Sequence, residues 1–190
     1  RLEQQAWLRN GQTELAEQVL GQLSLNLLGR NILQFCAQYL GSAVAALYVR
    51  EEHGGLRRVA SYGFSREQEA IDQQIYSDEG IVGQVAQQAR LIRLDNVPSD
   101  YFKVTSGLGQ GLPHSVLVVP TSDDDRVNGV IELGFLRPLI DRDIELLELI
   151  AANIGTSIEA ARYRQRLQEV LAETQQLNEE LQVQQEELRT

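Results

Sequence analysis

The chain is expected to fold as an α+β domain, a mainly antiparallel sheet flanked by helices, with a long helical extension at its C-terminal end. Three observations carry this expectation. Apolar residues recur at helical spacing up to Gly41, fall into short runs between Val44 and Phe135, and return to helical spacing after Asp141. Two polar turns, Glu51-Glu52-His53-Gly54-Gly55 and Asp123-Asp124-Asp125, join consecutive strands too tightly for a parallel crossover. From Leu167 onward, finally, the apolar positions alternate spacings of three and four, the seam along which two helices pair.

Taken in order, Arg1 to Gln22 reads as a helix with Leu8, Leu15 and Val19 on one stripe. Ser24 is a natural N-cap for a second helix, whose Leu25, Leu28, Ile32, Phe35, Cys36 and Tyr39 form a buried face ending at Gly41. Val44 to Arg50 and Leu56 to Tyr62 make a hairpin. Arg66 to Gln74 is helical or irregular. Asp78-Glu79-Gly80-Ile81-Val82-Gly83 opens a short helix through Ala89, its acidic start suiting the positive end of the helix dipole. Leu91 to Leu94 is a short strand, and Asp95 to His114 is a long loop, a length that usually signals a task. Val116 to Thr121 and Val127 to Phe135 are strands. The last helix starts near Asp141 and runs to Thr190, with Ile144, Leu147, Ile150, Ile154 and Ile158 on its domain-facing side.

Composition narrows the function classes. With 190 residues, 43% of them hydrophobic, the chain has material for one core plus helical extensions. A net charge of -10 argues against nucleic acid or an anionic membrane surface as partner, since both demand a basic patch. No run approaches the roughly 18 apolar residues of a membrane span, and no membrane contact by this segment is expected. Met is absent even at position 1, which reads as a segment from the interior of a longer polypeptide. The single Cys36 lies in an apolar helical setting and reads as a buried, inert thiol.

The seam consists of Leu167, Val170, Thr174, Leu177, Leu181, Gln184 and Leu188. Its two polar members lower stability while favouring one register, and the flanking positions, Glu173, Glu180 and Glu187 on one side and Leu171, Asn178 and Gln185 on the other, offer no cations for inter-helix salt bridges. The expectation is a weak homodimer through the N- and C-terminal helices, continuing into a downstream domain because neither Gly nor Pro stops the repeat.

Several short stretches resemble the GAF domain, a small sensing module, over Ser24 to about Arg162. They are Gly80-Ile81-Val82-Gly83, Asp95-Asn96-Val97-Pro98-Ser99-Asp100-Tyr101, Val116-Leu117-Val118-Val119-Pro120 and Asn128-Gly129-Val130-Ile131-Glu132-Leu133. The resemblance implies a six-stranded antiparallel sheet, with helices from both ends of the domain on one face and a ligand pocket on the other. By position it implies pocket candidates Tyr62, Phe64, Ile81, Val82, Val85, Tyr101, Phe102, Ser115, Leu117 and Glu132. Tyr101 and Phe102 stand out, as two adjacent aromatics in a glycine-bearing loop that could close over a small molecule.

The flanks, Trp7-Leu8-Arg9-Asn10-Gly11 and Leu177-Asn178-Glu179-Glu180-Leu181, resemble linkers of bacterial hybrid sensor histidine kinases. That implies residues 1–23 as a connector helix, 24–162 as the sensory domain and 163–190 as a signalling helix. It further implies a cytoplasmic domain of an inner-membrane-anchored protein in a two-component phosphorelay. Departures from the family's better-known branches matter too. The Asn-Lys and Asp-Glu pattern of cyclic-nucleotide binders is missing, Cys36 is misplaced for a covalent bilin, and one cysteine is too few for methionine sulfoxide reduction.

Catalytic chemistry finds no foothold in the sequence. His53 sits in a turn, His114 precedes a strand, and neither belongs to a spaced set of metal ligands. Ser115 has no matching His and Asp pattern. No cofactor, metal or enzymatic activity is expected of the segment. The sensing role competes with a ligand-free relay and dimerisation role, in which the output could be another domain such as a cyclase.

Overall fold

The computed structural model describes residues 1–21, 24–71, 74–76 and 78–189. The sequence-based bounds at Gln22, residue 23 and Thr190, and residues 72–73 of the Arg66–Gln74 segment, lie outside the described residues.

Helix α1 (Leu2–Val19) turns Leu15 fully inward, with Leu8 and Val19 packed on the same core. It lies against α2 (Leu25–Phe35) and the start of the last helix. Trp7 stacks on Tyr39 at 4.9 Å between ring centroids, and the Arg142 guanidinium covers the Trp7 ring at 4.5 Å. The closest approach is at Gly11, where a Cβ would stand 2.7 Å from the Tyr39 ring and 2.9 Å from Leu146. Ser24 caps α2 by accepting the Leu27 N–H at 3.1 Å. One widened π turn, Cys36–Leu40, then carries the chain to Gly41, whose φ of 77° ends the helix at the glycine expected.

The hairpin of β1 (Val44–Arg50) and β2 (Leu56–Tyr62) follows as expected. Within Arg66–Gln74 the helical reading holds for α3 (Arg66–Glu69), opened by a Ser65–Gln68 capping box, whereas the end of the segment enters a short strand, β3 (Gln74–Ile75), paired with β2, which the sequence reading did not foresee. Helix α4 (Gly80–Gln88) and β4 (Ile92–Leu94) come next. The long loop contains a small hairpin, β5 (Val104–Ser106) with β6 (Gly109–Gly111), which the sequence reading did not foresee. Strands β7 (Ser115–Asp123) and β8 (Arg126–Phe135) meet at Asp124-Asp125, both at positive φ, the geometry of a two-residue hairpin turn. Helix α5 (Asp141–Arg189) completes the chain.

The main sheet has the order β3-β2-β1-β8-β7-β4, with every pairing antiparallel. Its two faces are chemically distinct because side chains alternate along each strand. Leu47, Val49, Leu117, Val119, Ile131, Leu133 and Phe135 face the helical layer of α2 and α5 and form the larger core. Leu56, Val116, Val118 and Val130 face the other way and are covered by Val82, Val85 and Ala86 of α4.

Helix α5 is clamped at its start and through its fourth turn. Arg137 donates to both Asp143 oxygens at 2.8 and 2.9 Å and to the Leu40 carbonyl at 2.6 Å, while the buried Asp143 also accepts the Ile140 N–H. Further along, the buried Asn128 of β8 donates to the Gly155 carbonyl at 2.8 Å and to Glu159 at 3.0 Å, and accepts from Thr121 at 2.9 Å. Gly155 permits this contact, because a Cβ there would sit 2.0 Å from the Ser122 carbonyl oxygen. Ala161 is the last buried residue of α5, and from Gln165 to Arg189 every residue is exposed. At 1.5 Å per residue the 49-residue helix is about 73 Å long.

Candidate functional site

The sheet face opposite the helical layer is only partly covered. Helix α4 seals the part around Val118 and Val130, leaving the neighbouring positions Val44, Ala46, Tyr48, Glu132 and Gly134 as the floor of a cavity of about 590 Å³. That volume falls within the range of small-molecule pockets. Gly80, Ile81 and Val82 at the start of α4 form one wall, while Phe64 and Arg58 stand on the other side with Tyr101 and Phe102 of the long loop. The Phe64 and Phe102 rings touch, their centroids 4.5 Å apart.

Glu132 is the chemically distinctive group. It sits on the central strand β8 between Ile131 and Leu133, and the pleat sends it to the cavity side, next to Ala46 and Val118 in register. Burial pushes its carboxyl above the ordinary carboxylate range, and a hydrogen bond from Tyr101 works in the opposite direction. Tyr101 is itself raised well above the usual phenol value, by burial first and then by the nearby Glu132 charge. Tyr48 is pushed up to about 12 by burial and Glu132, with Arg58 opposing.

The Arg58 side chain is buried, donates to the Glu69 carbonyl at 3.2 Å, lies 3.6 Å from the Glu69 carboxylate and covers the Phe64 ring at 4.8 Å. Its charge therefore already has an acidic partner.

Of the residues nominated from the sequence, Phe64, Ile81, Val82, Tyr101, Phe102 and Glu132 surround this cavity. Four others lie elsewhere, for identifiable reasons. Leu117 pairs with Leu133 and so points into the helical-layer core, opposite in parity to Glu132. Ser115 shares that parity; it is buried and donates to the Arg137 carbonyl at 3.1 Å. Tyr62 would share the face of Arg58 on a regular strand, but a bulge skips Val59 between the pairs Leu47–Ala60 and Tyr48–Arg58, turning Tyr62 to the other side. Val85 is fully buried beneath α4 in the small core.

The sequence reading missed Tyr48 and Arg58. Strict alternation along Val44–Arg50 places Tyr48 with Val44 and Ala46, and alternation from Leu56 places Arg58 on the same face, signals that were present; what was not visible locally is the pairing of Arg58 with Glu69. The seam residues Leu167, Val170, Thr174, Leu177, Leu181, Gln184 and Leu188 are all exposed along α5, with the Thr174 hydroxyl returned to the Val170 carbonyl at 2.8 Å. Among the described residues no group of three His, Cys, Asp or Glu is placed to hold a metal ion, and no helix is long and apolar enough to cross a membrane.

A six-stranded antiparallel sheet with helices from both chain ends on one face, and a cavity of small-molecule size on the other, defines a domain of the α+β class. The family model described as GAF domain matches residues 22–159, and the chain belongs to that family.

Solved structures agree on the fold. The GAF domain of a phosphoenolpyruvate-protein phosphotransferase from Acinetobacter is 21% identical with a TM-score of 0.65, over 85% of this chain and 96% of that one. Its counterpart from Coxiella burnetii is 17% identical with a TM-score of 0.68, over 83% and 95%. A free methionine-R-sulfoxide reductase from Neisseria meningitidis, solved in complex with its substrate, is 18% identical with a TM-score of 0.65, over 82% and 90%. No curated protein matches the sequence. The one thiol of this chain, Cys36, is fully buried in the helical-layer core, across the sheet from the cavity, and burial pushes it up to about 12.

Proposed function

We propose that this GAF domain is the sensory and dimerisation module of a bacterial signal-transduction protein, with a small molecule in the cavity as its input. Two copies pair through their N- and C-terminal helices, and the output passes along α5 to a downstream histidine kinase in a two-component phosphorelay. The observation that carries the reading is the 590 Å³ cavity, whose floor strand β8 also holds α5 through Asn128. A ligand with unequal affinity for two positions of β8 thereby biases the exit helix. The burial limit of α5 at Ala161 supports 24–162 as the sensory domain and 163–190 as the signalling helix. Residues 1–23 act as the connector, and α1 within them packs on the helical layer. The parent is a protein anchored in the inner membrane, with this domain on its cytoplasmic side.

A second reading, a ligand-free relay toward a different output such as a cyclase, draws on the direct packing of α1 against α5. Arg142 over Trp7 and the Gln4–Glu145 hydrogen bond join the incoming and outgoing helices without involving the cavity. A thermal-shift screen against nucleotides, amino acids and other small metabolites separates the two readings, since a ligand of the folded form raises the melting temperature. A response from any of them supports sensing, and a flat response across the whole set leaves the relay.

A further inference from the structure

The charges around the cavity do not balance. Its lining contains three carboxylates, Glu79, Asp100 and Glu132, and one guanidinium, Arg58. Arg58 is already matched by the Glu69 carboxylate. Glu79 is the N-cap residue of α4, and its carboxylate accepts the Tyr76 N–H at 3.3 Å. Glu132 is different. Among the described residues its carboxylate forms no ion pair, and its one side-chain partner is the Tyr101 hydroxyl, a neutral donor.

Glu132 is half-buried on the cavity floor, and a carboxylate partly shielded from water without a cation is less favourable than a paired one, so a ligand that brings the opposite charge gains there. The cavity lining that Glu132 shares includes the apolar Ile81 and the aromatic Phe64 and Phe102. Aromatic faces attract cations as well as hydrocarbon. Asp100 stands at the exposed rim, where it adds to the attraction at the mouth.

We propose that the cavity takes an organic cation, a small molecule whose ammonium or amidinium group meets the Glu132 carboxylate while its apolar or aromatic body lies against Phe64, Phe102 and Ile81. The proposal rests on the sensing reading above and specifies its ligand chemistry. Tyr101 helps hold the carboxylate and, with Phe102, ties the arrival of the cation to the position of the long loop.

The test uses triads of similar shape and different charge: tryptamine, 3-propylindole and indole-3-propionate, then phenethylamine, propylbenzene and hydrocinnamate. Each is titrated into the full chain by calorimetry and thermal shift. The expected result is binding of at least one amine, with its neutral and anionic counterparts roughly tenfold or more weaker. Glu132→Gln is expected to weaken the amine by roughly 30-fold or more, the scale for losing one partner of a buried charge pair. Circular dichroism establishes that this variant is folded; if it is not, the wild-type triads decide alone.

Equal or tighter binding of the anionic or neutral members overturns the inference and leaves sensing intact. So does an amine that binds Glu132→Gln as well as wild type. Silence from both amines overturns it even where the wider metabolite screen finds another ligand, whereas silence from that entire screen removes sensing itself.

Discussion

Glu132 is a charged side chain in the middle of an apolar strand, on the face that carries the cavity. Because its carboxyl is raised in the folded state, the fold binds this proton more tightly than the unfolded chain does. The stabilising effect is therefore complete below the ordinary carboxylate value near 4.5 and is lost as the pH rises through the folded-state value. Gln keeps an acceptor for Tyr101 without the charge. The melting temperature of Glu132→Gln relative to wild type should accordingly rise as the pH is raised above the ordinary carboxylate value near 4.5; a difference that stays constant or shrinks over that rise contradicts the burial account.

At this scale the sequence was half legible. An acid flanked by Ile131 and Leu133 is visible in one dimension, as is the aromatic pair Tyr101-Phe102. The face each residue occupies is not visible, because parity depends on the partner strand. Leu117 and Glu132 were nominated together, yet the register sets Leu117 beside Leu133 and so on the opposite face. For Tyr62, the bulge at Val59 reversed a parity that strict alternation would have given correctly only as far as Arg58.

Elements were read well where they were long and periodic. Helices α2, α4 and α5 and the strands β1, β2, β7 and β8 follow from apolar spacing, from the Ser24 cap and from the Gly41 stop. Elements that draw their order from neighbours were missed: β3 has two residues held by β2, and the β5–β6 hairpin has no apolar alternation. Helix α1 lies between these cases. Its stripe of Leu8, Leu15 and Val19 was evident, and the structure docks it onto α2 and α5. Leu15 is fully buried, so Leu15→Ala should lower the unfolding free energy by about 2–5 kcal/mol in urea titrations. A loss near zero would mean that α1 is detached in solution.

On the scale of the whole molecule, α5 divides into two parts. Up to Ala161 it is a core element, buried through Leu146, Leu147, Ile150, Ile154 and Ile158 and pinned by Asn128. Beyond Gln165 it is an exposed amphipathic rod with a polar-interrupted seam. Among the described residues 167–189 all are exposed, so after removal of residues 167–190 the melting temperature at low protein concentration should be nearly unchanged. The proposed pairing should weaken roughly tenfold or more in sedimentation equilibrium, as the loss of several seam leucines implies. An unchanged association constant would place the dimer contact on α1 and the first half of α5.

The fold class, the long helices and the strands of the two hairpins β1–β2 and β7–β8 were legible in residue spacing, because helices and hairpins are made by contacts between residues close in sequence. The site was assembled differently. Its floor comes from β1 and β8, its walls from β2, α4 and the long loop, and its unbalanced charge from the pairing of Arg58 with Glu69. Those are relations between distant segments, governed by sheet register and by one bulge. A shift of a single residue in either would have moved another set of side chains into the cavity.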